Sequence, residues 1–139
     1  MKQSITNLIN QQNRLLNGAL IYQPADEYVE KIIKNANIVT HSILGQLAGF
    51  IAYYCNDPGY EVAFLTMLCV APEYTGKGTG RRLLHYSIND ISLKGFSRYE
   101  LEVKETNLPA IQLYKSAGFE ITAIVDDKLK MTKAIIHEG

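Results

Sequence analysis

Tryptophan is absent, cysteine occurs twice, and the longest hydrophobic runs have the length of a strand. Each scarcity removes a class of answer. Two cysteines cannot staple a small secreted scaffold, so the fold must rest on burial, and 139 residues suffice for one domain, residues 1–139, with a sizeable core. Lysine plus arginine and aspartate plus glutamate both number 14, so no overall field draws the chain to nucleic acid or an anionic membrane. The first residues, Met1-Lys-Gln-Ser-Ile-Thr-Asn7, hold no apolar targeting segment, which predicts a cytoplasmic protein. His41, His85 and His137 are scattered and have no metal-ligand spacing with Cys55 or Cys69, so no metal site is expected. The two cysteines fall on adjacent strands more than ~20 Å apart, which predicts free thiols that pack as small hydrophobes.

Glycine, in contrast, is concentrated where it matters. Val70-Ala-Pro-Glu-Tyr-Thr-Gly-Lys-Gly-Thr-Gly-Arg-Arg-Leu-Leu84 joins an apolar strand to an amphipathic helix, with Gly76, Gly78 and Gly80 free to take positive φ and to approach a ligand closely. The helix that follows presents unpaired NH groups, and its positive end favours an anion. The pattern is G-x-G-x-G, one residue short of the dinucleotide fingerprint, with Arg81 at the position of its third glycine. A nucleotide triphosphate loop needs its lysine after the last glycine, whereas Lys77 lies between Gly76 and Gly78.

Around this loop the periodicity predicts two leading helices, one carrying Leu8, Ile9, Leu15 and Leu16. The other, Asp26 to Lys34, opens at Pro24 and turns Tyr28, Val29, Ile32 and Ile33 inward. Strands are predicted over Asn37–Ser42, Leu47–Cys55, Glu61–Val70, Tyr99–Val103, Phe119–Val125 and Leu129–Ile136, with turns at Gly45, Asn56–Tyr60 and Asp126–Asp127. The second and third read as apolar throughout, as strands covered on both faces do. Leu83, Leu84, Ile88 and Ile91 mark a helix closing near Gly95, which makes a βαβ crossover. Asn107 suits a helix N-cap, with Pro109 in the first turn and Gly118 at the C-terminal end.

A second segment makes the loop specific. Leu101-Glu-Val-Lys-Glu-Thr-Asn107-Leu-Pro-Ala-Ile-Gln-Leu-Tyr114-Lys-Ser-Ala-Gly-Phe119 resembles the L-x-V-x-x-x-N-x-x-A-x-x-x-Y-x-x-x-G-F run of the GNAT superfamily of N-acetyltransferases. The glycine loop resembles that family's [Q/R]-x-x-G-x-[G/A], with Gly78 and Gly80 at the glycine positions and Thr75 in place of the usual Gln or Arg. The likeness runs from about Ile38 to Ala134. It implies an α/β fold with a mostly antiparallel mixed sheet, a splayed strand pair and helices on both faces. It also implies an acetyl-coenzyme A co-substrate and allows a homodimer through the late strands.

From the resemblance, the cofactor pyrophosphate is expected on Thr75, Gly76, Lys77, Gly78, Thr79, Gly80 and Arg81, with Arg82 adding charge. The backbone of Leu68, Cys69 and Val70 and the side chain of Asn107 are expected to hold the pantetheine arm. Tyr114 matches the tyrosine that protonates the leaving thiolate, although Ala110, Leu113 and Ala117 share its helix face and allow a packing role. An amine of pKa ~10.4 must lose a proton before it attacks. Glu102 and Glu61 compete to accept it. Tyr53, Tyr54 and Tyr60 flank a turn beside Asp57, as packing or as the lining of an acceptor pocket. The expected reaction is acetyl transfer to a small-molecule primary amine. Transfer to protein N-terminal or lysine amines, or a non-catalytic acyl-coenzyme A binding role, are the alternatives.

Overall fold

A computed structural model describes residues 1–16, 20–21 and 23–136; His137 lies outside the described residues. Six strands form one mixed sheet in the order β1-β2-β3-β4-β6-β5. They are β1 (Asn37–Ile43), β2 (Gln46–Tyr54), β3 (Val62–Val70), β4 (Arg98–Lys104), β5 (Glu120–Val125) and β6 (Lys128–Ala134). Among the described residues four α-helices accompany them, α1 (Lys2–Leu15), α2 (Ala25–Asn35), α3 (Thr79–Leu93) and α4 (Leu108–Ser116). β3 and β4 run parallel, as a crossover through α3 requires, whereas β4–β6 and β5–β6 are antiparallel. No described helix is long and apolar enough to cross a membrane.

The chain divides into two compact units, residues 1–52 with 67–83, and residues 53–66 with 84–139. In the first, Ile5 and Ile9 of α1, Val29 and Ile32 of α2, and Phe50 of β2 are removed from water. Pro24 stands at the N-cap of α2, where its missing NH costs nothing. The expected inward faces need trimming: Leu15, Leu16 and Ile33 are solvent-exposed. The first two sit at the last turn of α1, beyond the reach of its buried face, and Ile33 lies one residue off the Tyr28–Ile32 stripe of α2. β2 is buried continuously from Ala48 to Tyr53, as an apolar run predicts, but β3 alternates buried and half-buried residues and so has only one fully covered face.

In the second unit, Tyr99 and Leu101 of β4, Met131 of β6, Phe119 and Phe96 form the interior. Phe119 stands between Tyr99 and Tyr114, with ring centroids 5.6 and 5.8 Å away. Two buried hydroxyls are satisfied: Tyr99 donates to Ser87 at 3.0 Å, and Tyr53 to Asp90 at 2.6 Å. Burial pushes both phenols well above the ordinary range, and the Asp90 carboxylate adds to the effect at Tyr53. Tyr53 is thus a packed, hydrogen-bonded residue rather than a pocket wall, and the exposed Tyr60 lies against Phe96. The loop before β3 is organised by Asp57, whose carboxylate accepts the amides of Gly59, Glu61 and Val62. Those bonds, Gly59's and Val62's foremost, hold its pKa below the usual range.

β2 carries one glycine where the neighbouring residues are bulky. A Cβ on Gly49 would lie 2.8 Å from the Cys69 carbonyl and 3.2 Å from the Thr79 methyl, so β3 and the start of α3 both close over it. Gly49→Ala should therefore cost about 1–3 kcal/mol by overpacking. Urea unfolding reads this as a lowered midpoint at unchanged slope.

Candidate functional site

In the first unit β3 continues one residue past its end, with Ala71 donating its amide to Ala48 at 2.8 Å, until Pro72 interrupts it. A 3-10 turn, Pro72–Tyr74, then leads into the glycine loop. Gly76 and Gly78 both adopt φ +81°, and open space lies where each would carry a Cβ. Gly80 does not share that conformation. It is the second residue of α3, so its value is a bare helix start rather than a left-handed turn.

The first backbone bond of α3 runs from Arg82 to the Gly78 carbonyl at 3.0 Å. The amides of Thr79, Gly80 and Arg81 precede it and have no acceptor within the helix. The Thr79 hydroxyl is buried and has no partner among the described residues. Unpaired donors, an open left-handed backbone and the exposed cations Lys77, Arg81 and Arg82 fit an anionic phosphate group. Lys77 meanwhile rests over the Tyr74 ring, 5.7 Å from its centroid.

Thr75 does not supply the side-chain donor that Gln or Arg would extend here. Its hydroxyl turns back to the Ala71 carbonyl at 3.4 Å. Of the strand residues, Leu68 and Val70 are half-buried, and the Val70 carbonyl accepts from Gln12 of α1 at 3.0 Å. Cys69 is buried, and burial pushes its thiol up to about 12, so it remains a neutral packing group at physiological pH. Cys55 lies just past β2 rather than on it, and neither cysteine is in a disulfide among the described residues.

The second unit contains Asn107, Tyr114, Glu102 and Glu61. Asn107 caps α4, accepting the Ala110 amide at 3.3 Å, and Pro109 occupies the first turn. The helix ends at Gly118, φ +97°, with Phe119 donating its amide to the Tyr114 carbonyl at 3.0 Å. Cap and stop fix the rotation of α4 that turns Tyr114 inward. No hydrogen bond reaches the Tyr114 hydroxyl among the described residues, and desolvation pushes it up to about 12.

The two glutamates part company. The parallel ladder runs from Val62↔Arg98 to Leu65↔Leu101, so Glu102 is the first residue of β4 beyond it, exposed on the face opposite Leu101 and Val103. Glu61 is exposed too, but it precedes β3 instead of lying on it. Its carbonyl accepts the amides of Ser97 at 3.0 Å and Arg98 at 2.9 Å, which anchors the start of β4. About four residues of strand, roughly 13 Å, separate that level from Glu102.

Sequence reasoning missed two contributors. Gly49 carried a signal, a lone glycine inside a strand pattern, which marks close backbone approach. Gln12 carried none, because a polar residue on an amphipathic helix reads as solvated until its partner at Val70 is known.

The acetyltransferase (GNAT) family model matches residues 5–119. The chain is 39% identical over 81 residues to the ribosomal protein bS18 alanine N-acetyltransferase of Escherichia coli, covering 58% of this chain and 55% of that one. It is 35% identical over 95 residues to an uncharacterised N-acetyltransferase of Methanocaldococcus jannaschii, covering 66% and 42%. The matched segment thus spans about half the length of these relatives. An aminoglycoside 6'-N-acetyltransferase solved with coenzyme A superposes with a TM-score of 0.81 over 99% of this chain and 92% of that one. At 19% identity that likeness concerns the fold alone.

Gly78→Ala tests the loop without a steric clash, because nothing lies near the added methyl. It places a side chain in a left-handed conformation, at a cost of about 1–2 kcal/mol. Isothermal titration should show coenzyme A affinity falling about ten-fold while the far-ultraviolet spectrum is retained.

Proposed function

Since the chain belongs to the acetyltransferase (GNAT) family, we propose that it moves the acetyl group of acetyl-coenzyme A to the primary amine of a small molecule, by direct attack in a ternary complex. The observation that carries this reading is the glycine loop, two left-handed glycines leading into a helix start with unpaired amides. Nucleotide diphosphate chemistry is what such a backbone holds. The protein would act in the cytoplasm.

In this reading the loop amides from Thr75 to Gly80 take the pyrophosphate, with Lys77, Arg81 and Arg82 supplying charge in place of the donor missing at Thr75. The backbone of Leu68, Cys69 and Val70, with Asn107, holds the pantetheine arm. The bound thioester supplies an activated acetyl carbon. Glu102, directly or through a water, takes a proton from the ammonium, and the amine lone pair then forms the C–N bond. The adduct then collapses: the C–S bond breaks, its electron pair leaves on sulfur, and the second proton of the former ammonium passes to that thiolate through solvent.

Tyr114 serves that sulfur. Burial disfavours the phenolate, so the hydroxyl keeps its proton at neutral pH and is always ready to donate. A phenol held at about 12 does not surrender its proton outright to a thiolate of ordinary pKa ~8.5. Its contribution is a hydrogen bond that strengthens as charge develops on sulfur, a differential interaction that lowers the barrier. Glu102 is favoured over Glu61 because it lies on β4 just past the last β3 partner, whereas Glu61 precedes β3 and its backbone anchors the start of β4.

A second reading has its own support. The likeness to an enzyme named for the alanine of ribosomal protein bS18 favours a protein α-amine as acceptor. Thiol release measured with amino sugars, polyamines and amino-acid derivatives, beside a peptide with a free N-terminal alanine, separates the two. If none of them releases thiol while acetyl-coenzyme A still raises the melting temperature, the chain is a binding module.

Tyr114→Phe should lower kcat at least ~100-fold and leave coenzyme A affinity unchanged. The wild-type rate should also lack the alkaline fall near pH 10 that an unburied phenol would impose. Glu102→Gln should reduce amine kcat/KM more than Glu61→Gln does. The reverse order would transfer the proton-accepting role to Glu61.

A further inference from the structure

The outward face of β4 and β6 is crowded with charge, yet the carboxylate assigned to the chemistry has no ion-pair partner among the described residues. Glu102 stands directly opposite Lys130 in the antiparallel register, Glu100 opposite Thr132, and Lys104 opposite Lys128. Directly opposed side chains lie about 4.5–5.5 Å apart at Cβ, so position alone would pair Lys130 with Glu102. The lysine goes elsewhere. Its Nζ lies 3.4 Å from Oε1 of Glu100, one diagonal along, and Arg98 Nε occupies the other oxygen at 3.1 Å. Lys104, two residues from Glu102 on the same strand face, reaches Asp127 in the β5–β6 turn at 3.8 Å.

Glu100 wins this competition for a physical reason. Its side chain is only 16% exposed, so its field is screened less than that of the solvent-exposed Glu102. We propose that Glu100 is a positioning residue that holds Lys130 off Glu102, leaving its carboxylate for a cationic acceptor. This rests on the reading of Glu102 as proton acceptor. A lysine paired to that carboxylate would occupy the place of the incoming ammonium and would weaken the base by favouring its charged form. The acceptor class is therefore a primary ammonium, drawn by the charge of Glu102 and deprotonated by it. Lys128, opposite Lys104, is a further cation on this face, and Thr132 is the neutral neighbour between Lys130 and Ala134.

The test needs no acceptor. Carbon-13 NMR of the side-chain carboxyls in the full chain follows the titration of Glu102 directly. In Glu100→Gln the released Lys130 should lower the Glu102 midpoint by about half a pH unit, an effect that fades in high salt. Adding Lys130→Gln to that variant should restore the midpoint. Glu100→Asp, which keeps the charge but shortens its reach to Lys130, should lower it by a smaller step. It also keeps the idea testable if Glu100→Gln fails to fold. An unmoved midpoint in the folded variants, or one that Lys130→Gln does not restore, overturns the proposal. Full amine-dependent thiol release by Glu102→Gln would overturn the proton-acceptor reading instead, and leaves the NMR result to stand or fall by itself.

Discussion

A missing methyl group at Gly49 sets the position of the glycine loop and of the start of α3. The Cys69 carbonyl of β3 approaches that point more closely than a side chain would allow, and the Thr79 methyl of α3 approaches it tightly. Leu83, one turn further along α3, closes the same contact at 3.4 Å. With the first turn of α3 held against β2 and β3, the linking backbone has to reverse within a few residues. Gly76 and Gly78 accept the left-handed angles that this reversal imposes. The unpaired amides that follow are a by-product of starting a helix there, and they are the groups proposed to meet the phosphates of the co-substrate.

The second unit relies on burial rather than on close backbone approach. Phe119 separates Tyr99 from Tyr114, and Asn107 and Gly118 fix where α4 begins and ends. Tyr99 and Tyr53 have their hydroxyls satisfied by Ser87 and Asp90, as buried polar groups require. Tyr114 differs in having none recorded among the described residues. A desolvated donor without an internal partner is poised for an external one, and the same desolvation keeps its proton in place.

How much could be read beforehand depended on how local each feature is. The loop, the Asn107 cap and the Gly118 stop were legible because each is set by the torsional limits and hydrogen-bonding groups of a few consecutive residues. The limits of the buried stripes were less so. Leu15 and Ile33 look equivalent to Leu8 and Ile32 in hydrophobicity, and only the neighbouring elements decide which of them water still reaches. The unbroken apolar run of β3 likewise suggested two covered faces, whereas its burial alternates. Gly80 looked like its neighbours at 76 and 78 until the helix was seen to begin one residue before it.

Sequence by itself therefore determined the family, the order of strands and helices, and the glycine loop that leads into α3. Those properties follow from spacing along the chain. Tertiary structure decided which glutamate stands beyond the β3–β4 ladder, where Lys130 and Lys104 place their charges, and that Gln12 holds the Val70 carbonyl. Pairings of this kind join residues remote in sequence, and Coulomb attraction and hydrogen bonding depend on separation in space, which no periodicity encodes.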